Sequence, residues 1–196
     1  MQIRAGGAPL LALKGLSARE ISARLSLTPA EALVAQELPG ACGRPPRLAA
    51  VLLPLFQYEG TWRLLYIRRA VQPGDRHSGE VAFPGGRAEE GDGGAVATAL
   101  REAQEEIGLE PQQVEVLGRM RALHTVSNFL VTPVVGHVPR RLNLRPDPAE
   151  VAHVFSVPLD WLLNPRNHKL RIWPHADHPE AREVVFFEEF DGERLW

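Results

Sequence analysis

The chain has 196 residues, of which 44% are apolar, and a formal net charge of −2 at pH 7. This length allows one domain with a sizeable core and a short appendage, and the balanced charge does not favour nucleic acid as a partner. The single cysteine, Cys42, cannot form an internal disulfide, and the sequence has no run of about 18 apolar residues. We therefore expect a cytoplasmic protein that does not enter a membrane.

Residues 1–46 predict a helical N-terminal appendage. Two segments fit the capping-box pattern, a hydroxyl residue followed three positions later by Glu: Ser17 with Glu20, and Thr28 with Glu31. They predict short helices at Ser17–Leu25 and Thr28–Glu37. The pair resembles a helix-turn-helix, but its second helix contains no Lys or Arg to contact phosphates. We favour an appendage that packs on the domain or covers the substrate, and we do not expect nucleic acid as a partner.

Residues 47–196 predict one α/β domain. Six short runs are typical of β-strands: LAAVLLPLF, WRLLYIRR, VEVLGRMRAL, LVTPVVGHV, VAHVFSVPL and EVVFFEEF. One long helical pattern lies between the second and third runs, and strands around one amphipathic helix predict a mixed sheet. Residues 141–150, which include two prolines, predict a loop.

The helical pattern covers Ala95–Ile107. At about 100° per residue, one stripe of this helix is apolar, as expected of a buried face: Val96, Ala99, Leu100, Ala103 and Ile107. Glu102, Glu105 and Glu106 share the neighbouring arc, because residues three and four apart are neighbours on a helix. Arg101 precedes Glu105 by four residues and can partly offset its charge.

The loop before this helix combines glycines with further carboxylates: Gly85, Gly86, Gly91, Gly93 and Gly94, with Glu89, Glu90 and Asp92. Glycines let the backbone approach a ligand closely. Dense carboxylate oxygen suits a hard divalent cation such as Mg²⁺, which would polarise a phosphoryl group and activate water. The alternative interpretation of the glutamates is a solvated, charged helix face.

The segment REAQEEIGL, Arg101–Leu109, resembles the second half of the Nudix box, which reads Arg-Glu-apolar-x-Glu-Glu-x-Gly-apolar. The resemblance implies a Nudix α/β/α sandwich that hydrolyses a nucleoside diphosphate linked to another moiety, with Mg²⁺ or Mn²⁺. It also implies that Arg101 orients one of the glutamates. By the same resemblance four residues belong to the metal site: Glu102, Glu105, Glu106 and Gly86. The proton of the attacking water would go to Glu105 first, and otherwise to Glu106 or Glu102.

The region upstream resembles the signature of the coenzyme A diphosphohydrolase branch of this family. The matching residues are Leu64, Leu65, Arg68, Gly79, Phe83, Pro84, Gly85 and Gly86. Arg69 replaces the serine of the signature, and Arg76 stands one place later than its arginine. The first half of the box holds one extra residue, which is also similar to this branch, and Asp92 is the favoured substitute for the first glutamate of the box. The resemblance implies that coenzyme A or a derivative is the substrate.

Four residues are candidates for substrate binding: Arg68, Arg76, His77 and Gly85. Coenzyme A carries a diphosphate and a 3′-phosphate, and guanidinium groups bind such oxygens in bidentate fashion. We interpret Arg69 as an outward-facing strand residue. Glu150 is interpreted as a solvated loop end, with a general base as the alternative.

Two other functions stay open. ADP-ribose or another dinucleotide is the alternative substrate, because the box itself concerns only the diphosphate. A non-catalytic nucleotide sensor is the alternative of another class, and the intact arginine and glutamates of the box argue against it. The sequence does not fix the oligomeric state, and a homodimer is one of the alternatives.

Overall fold

The computed structural model describes residues 15–26, 45–74, 77–125, 127–175 and 178–195, and within 173–183 it describes the backbone alone. The second predicted N-terminal helix, Cys42 and Arg76 lie outside these residues. The described helices are α1 (Ala18–Ser26), α2 (Ala95–Ile107) and α3 (Leu159–Leu162), with a 3-10 turn at Pro111–Gln113. Within the described ranges, no helix is both long and apolar enough to cross a membrane.

Eight strands form the main sheet, and two more form a separate hairpin. The sheet consists of β1 (Arg47–Tyr58), β2 (Thr61–Arg69), β3 (Val81–Ala82), β4 (Gly85–Arg87), β5 (Glu115–Arg119), β6 (Leu123–His124), β7 (Phe129–His137) and β8 (Val151–Pro158). The hairpin consists of β9 (His168–His175) and β10 (His178–Phe187). β1 pairs with β7 in parallel, whereas β1 with β2 and β2 with β8 are antiparallel. The predicted mixed sheet is confirmed.

A fork between β1 and β2 positions the glycine-rich segment. The two strands pair from Tyr58↔Thr61 to Leu55↔Leu64, next to their turn. Further along, β3 pairs with β2, and β4 pairs with β1. The strand Gly85–Arg87 is therefore inserted within the sheet, and α2 packs against both β4 and β1.

Helices cover both faces of the sheet. Along β2, Leu65 and Ile67 belong to the apolar cluster that contains the buried residues of α2. Leu64 and Tyr66 belong to a second cluster, which includes residues of α1 and α3. Since successive side chains of a strand point to opposite faces, the two clusters lie on opposite sides. This arrangement confirms the predicted α/β/α sandwich.

The described part of the N-terminal appendage packs on the sheet. The capping box predicted for α1 is present: the Glu20 amide donates to Ser17 Oγ (3.3 Å), and the Ser17 amide donates to Glu20 Oε2 (2.8 Å). Trp62 Nε1 donates to the Leu16 carbonyl, and Ser22 Oγ donates to the Leu117 carbonyl, both at 2.8 Å. α1 thus forms part of the helical layer opposite α2.

A short C-terminal segment closes over this second face through Glu193. The side chain of Glu193 is buried, and it bonds to the Arg68 guanidinium on β2 and to His153 Nε2 on β8, the latter at 2.7 Å. Phe190 and Glu193 form an isolated β-bridge, and Leu195 is buried. One carboxylate therefore links the chain end to two neighbouring strands.

Glu193→Gln is expected to lower the free energy of unfolding by about 2–3 kcal/mol, because Arg68 loses its charged partner in partly buried surroundings. Urea denaturation followed by tryptophan fluorescence measures this loss. Glu188→Gln is the matched control on the same segment, since Glu188 pairs with Lys169 in an exposed contact, and it should leave the free energy of unfolding nearly unchanged. Equal losses in the two variants would contradict the structural role of Glu193.

Candidate active site

The helix α2 presents its apolar stripe to the sheet and its glutamates to one side. Ala99, Ala103 and Ile107 are fully buried, as the periodicity predicts. The helix ends at Gly108, whose left-handed backbone (φ 67°) lets the Gly108 amide donate to the Gln104 carbonyl (2.9 Å) and the Leu109 amide donate to the Ala103 carbonyl (3.2 Å). This termination fixes the register of the last turn, which carries Glu105 and Glu106.

Glu102 and Glu106 lie directly against the glycine strand β4. The Gly85 amide donates to Glu106 Oε2 at 2.9 Å. A Cβ atom at Gly86 would stand 2.6 Å from the Glu102 carboxyl carbon, and one at Gly85 would stand 2.4 Å from the Ala50 carbonyl oxygen. Both positions therefore require glycine, Gly85 for the backbone of β1 and Gly86 for the carboxylate of Glu102.

Burial perturbs both of these carboxyl groups. Glu106 is only 2% exposed, and burial raises its pKa to about 7, although the Gly85 amide and Arg69 act in the opposite direction. Burial also raises the pKa of Glu102, against the effect of Arg101. Carboxyl groups that share a partly dry site resist ionising together. Such a site gains from a cation.

Arg101 organises the other acidic groups of the box. Its Nη1 donates to Glu105 Oε2 (2.8 Å), its Nη2 to Glu102 Oε1 (3.0 Å) and to the Arg87 carbonyl (2.9 Å). The Glu105 side chain is 56% exposed, so it stands at the solvent side of the cluster. The predicted i,i+4 pair is confirmed, and the arginine links α2 to the end of β4.

Asp92 bonds to Arg101 and to the first turn of α2. The Arg101 Nε donates to Asp92 Oδ1 at 3.1 Å, and Thr98 Oγ1 donates to Asp92 Oδ2 at 2.9 Å. The Glu89 amide also donates to Oδ2 (3.0 Å). The hydrogen bond from Arg101, followed by that from the Glu89 amide, lowers the pKa of Asp92 to about 2. Asp92 thus fixes Arg101 and the box loop.

Arg68 lies on the face of the sheet opposite α2, with Tyr66. Its Nη1 donates to the Gly79 carbonyl at 2.5 Å, and its Nη2 pairs with Glu193. The structure therefore does not bring Arg68 to the glutamates of α2. Two residues of the upstream signature, Arg68 and Gly79, instead contact each other, and the arginine anchors the loop that leads into β3 and β4.

Arg69 lies on the glutamate face, contrary to its interpretation as an outward strand residue. It follows Ile67, which packs against α2, by two positions. Its Nη1 is 3.8 Å from Glu106 Oε1. The alternation of side chains along β2 indicated from sequence that Arg69 and Ile67 share one face. That α2 covers this face is known only from the structure.

Two further candidates lie on loops. His77 is exposed, with Nδ1 2.9 Å from Glu80 Oε2. Glu150 is exposed, as predicted for a loop end, but its charge raises the pKa of Glu106 and Glu102. The Ala70 amide donates to the Glu150 carbonyl at 2.8 Å, which ties this loop to the end of β2 beside Arg69.

The donor set fits a divalent cation that retains water. Among the residues with described side chains, no three His, Cys, Asp or Glu groups converge to hold a metal ion by themselves. Mg²⁺ commonly uses one or two carboxylates together with water and substrate phosphates. Glu102 and Glu106, which lie against the backbone of β4 at Gly86 and Gly85, match that requirement. A cleft of about 370 Å³ borders this strand, lined by Arg87, Ala88, Glu89 and Glu90.

The layered sheet, with a glutamate-bearing helix on an inserted glycine strand, defines the class of a Nudix-type α/β/α domain. The family model of the NUDIX domain matches residues 45–193, and the chain therefore belongs to the Nudix family. The chain is 47% identical over 118 residues to the Nudix hydrolase NudL of Photorhabdus laumondii, covering 60% of this chain and 62% of that protein. It is 41% identical over 132 residues to NudL of Escherichia coli, covering 67% and 68%.

Similarities to solved structures concern the fold. A Caenorhabditis elegans Ap4A hydrolase in a binary complex aligns with a TM-score of 0.48 and 16% identity, covering 55% of this chain and 77% of that one. The Nudix hydrolase RenU of Mycobacterium smegmatis aligns with a TM-score of 0.46 and 23% identity, covering 61% and 74%. The match to the Photorhabdus relative spans about six tenths of that protein's length.

Proposed function

We propose that the protein is a cytoplasmic pyrophosphohydrolase that cleaves the diphosphate of coenzyme A and its derivatives. The products are 3′,5′-ADP and 4′-phosphopantetheine or its acyl derivative. The observation that carries the hydrolytic assignment is the pair formed by the partly buried carboxylate of Glu102 and the buried carboxylate of Glu106, both held against the glycine strand of a Nudix domain. The coenzyme A assignment rests on the upstream signature and on the extra residue in the box.

In this proposal Glu102, Glu106 and the Gly86 carbonyl would hold Mg²⁺ or Mn²⁺, and Glu105 would complete the set. When bound, the cation polarises the phosphoryl group and acidifies a water molecule. Buried carboxylates with raised pKa values support this role, because a cation relieves the free-energy cost of their charges. Each of these residues lies on α2 or β4, which pack against each other.

The chain's own residues position the carboxylates and accept the proton of the attacking water. Arg101 holds Glu102 and Glu105 in a fixed relation, while Asp92 holds Arg101. Glu105 is the first candidate for the general base, because it stands at the exposed side of the cluster where water has access. Glu106 and Glu102 are the next candidates. Glu150, on another loop, is an alternative base, and its charge raises the pKa of both.

Substrate phosphates are assigned to the loop between β2 and β3 and to β4. His77 lies on that loop, Arg76 immediately precedes it in sequence, and Gly85 offers a close approach to backbone. Arg68, which we place beneath the loop, contributes by anchoring Gly79. In this proposal the side chains of Arg76 and His77 would bind oxygens of the diphosphate and of the 3′-phosphate.

A substrate panel with Mg²⁺ and Mn²⁺ tests the proposal: coenzyme A, dephospho-coenzyme A, ADP-ribose, NADH and 8-oxo-dGTP. Coenzyme A is expected to exceed dephospho-coenzyme A in kcat/KM by about tenfold to a hundredfold, because one charge-assisted contact to the 3′-phosphate is lost. A higher kcat/KM for ADP-ribose than for coenzyme A would refute the assignment to the coenzyme A branch. It would leave the assignment as a hydrolase unaffected. Binding without turnover of any of these compounds would favour the sensor.

A further inference from the structure

Arg69 places a second cation beside the most buried carboxylate of the site. Its guanidinium Nη1 is 3.8 Å from Glu106 Oε1, and its side chain is 29% exposed. This separation is beyond hydrogen-bond distance, so the attraction between the two groups is electrostatic. The arginine therefore faces the carboxylate while keeping access to solvent.

The two oxygens of Glu106 have different surroundings. Oε2 accepts the Gly85 amide at 2.9 Å, whereas Oε1 faces the guanidinium of Arg69. Each carboxylate oxygen has two lone pairs, so Oε1, which does not accept the Gly85 amide, is the oxygen of Glu106 with more capacity left for a divalent cation. A metal ion and a guanidinium beside one oxygen repel each other strongly in a partly dry site.

Two neighbouring carboxylates add negative charge around Glu106, and Arg69 partly offsets it. Glu102 and Glu150 both act on Glu106 with negative charge. Arg101 is engaged with Glu102, Glu105 and Asp92. Among the cations with described side chains, Arg69 is the one that forms an ion pair with Glu106.

A guanidinium at this position also suits phosphate oxygens. Its planar fork binds them in bidentate fashion, and a diphosphate bound to a metal at Glu106 would bring negative oxygens close to the end of β2. The signature that the sequence resembles has serine at this position, so the feature belongs to this chain. Arg68, the neighbouring arginine, is on the other face and bonded to Glu193.

We propose that Arg69 is a substrate-positioning residue that exchanges partners: it neutralises Glu106 in the metal-free protein and moves to a phosphate oxygen when a metal-bound diphosphate enters. This inference deepens the proposed function, on which it rests for the diphosphate. The exchange disfavours metal without substrate and favours metal together with substrate. Arg69 thereby couples the two binding events.

The first test measures Mn²⁺ binding in the absence of nucleotide by electron paramagnetic resonance. Arg69→Ser and Arg69→Gln are expected to bind Mn²⁺ about three- to fivefold more tightly than the wild type, because a partly exposed competing charge is removed. Arg69→Lys keeps the charge and should stay within about twofold of the wild type. Thermal melting of each variant verifies that it is folded.

The second test measures binding of methylenediphosphonate, an uncleavable diphosphate mimic, by calorimetry with saturating Mg²⁺. Arg69→Ser and Arg69→Gln are expected to bind it about tenfold more weakly, through loss of one charge-assisted contact. Arg63→Gln is the matched control on the same strand and face, because Arg63 is bonded to Ser156, and it should leave both affinities unchanged.

Unchanged or weaker Mn²⁺ binding in both neutral variants would overturn the proposal, and so would unchanged binding of the diphosphonate. Neither measurement contains coenzyme A. A substrate panel that fails for coenzyme A therefore leaves the assignment of Arg69 intact, and a failure here leaves the panel result intact.

Discussion

Glu106→Gln is expected to lower kcat/KM by about a thousandfold, corresponding to about 4 kcal/mol of transition-state stabilisation. The amide can still accept the Gly85 hydrogen bond, so the backbone of β4 stays in place, but it cannot supply a charge to a cation at Oε1. Steady-state hydrolysis of the best substrate of the panel measures the effect. Activity within about tenfold of the wild type would remove Glu106 from the metal site.

The same substitution is expected to stabilise the metal-free protein at alkaline pH. In the folded state the pKa of Glu106 is raised from its ordinary value of 4.5 to about 7. Below 4.5 the group is protonated in both states and costs nothing, whereas above 7 the folded protein carries a buried charge. The penalty therefore appears as the pH rises from 4.5 through 7, and it amounts to about 3 kcal/mol.

Urea denaturation in EDTA at about pH 5.5 and pH 8.5 measures this difference, and Glu106→Gln should gain about 1–3 kcal/mol over the wild type at the higher pH. Glu105→Gln is the control for stability, because it removes the neighbouring carboxylate from an exposed position. It should show no such gain. A constant difference between Glu106→Gln and the wild type across the two pH values would contradict burial as the cause.

Local sequence patterns predicted the features of this structure that depend only on residues close together in the chain. The capping box of α1 and the apolar stripe of α2 follow from spacings of three and four positions, which any helix imposes. The loop at 141–150 follows from its prolines. These features need no knowledge of the tertiary structure, and the structure agrees with each of them.

Which side of the sheet each of the two β2 arginines faces could not be predicted without the sheet topology. Alternation puts Arg68 and Arg69 on opposite faces, but the helix that covers each face is decided by the insertion of β3 and β4 between β1 and β2. The contact between Glu193 and Arg68 could not be predicted from the sequence, for another reason. Glu193 contacts Arg68 across 125 positions of the chain, and no local spacing marks such a pair.

Asp92 illustrates how a motif can match while its geometry stays hidden. Counting along the box identified it as a substitute for the first glutamate, without indicating what its side chain meets. The folded loop directs it to Arg101, Thr98 and the Glu89 amide. Its contribution to the site is to hold the arginine that holds two glutamates.

Substitution of two adjacent glycines, Gly85 and Gly86, should distinguish effects on stability from effects on catalysis. Gly85→Ala is expected to lower the free energy of unfolding by about 3 kcal/mol or more, because its Cβ meets backbone and the residue has a positive φ. The obstructing atoms are the Ala50 carbonyl oxygen at 2.4 Å and the Val51 Cα at 2.6 Å. Both belong to β1 in the middle of the sheet and cannot move aside locally.

Gly86→Ala should have the opposite profile: stability within about 1 kcal/mol of the wild type, and kcat/KM lower by about a hundredfold. Its Cβ meets the Glu102 carboxyl group at 2.6 Å, the far end of a flexible side chain, which can rotate away. Rotation removes Glu102 from β4 and from Arg101 Nη2. Chemical denaturation together with kinetics at saturating metal separates the two variants. If Gly86→Ala keeps full activity, Glu102 does not need its place against the glycine strand, and the proposed metal site is wrong.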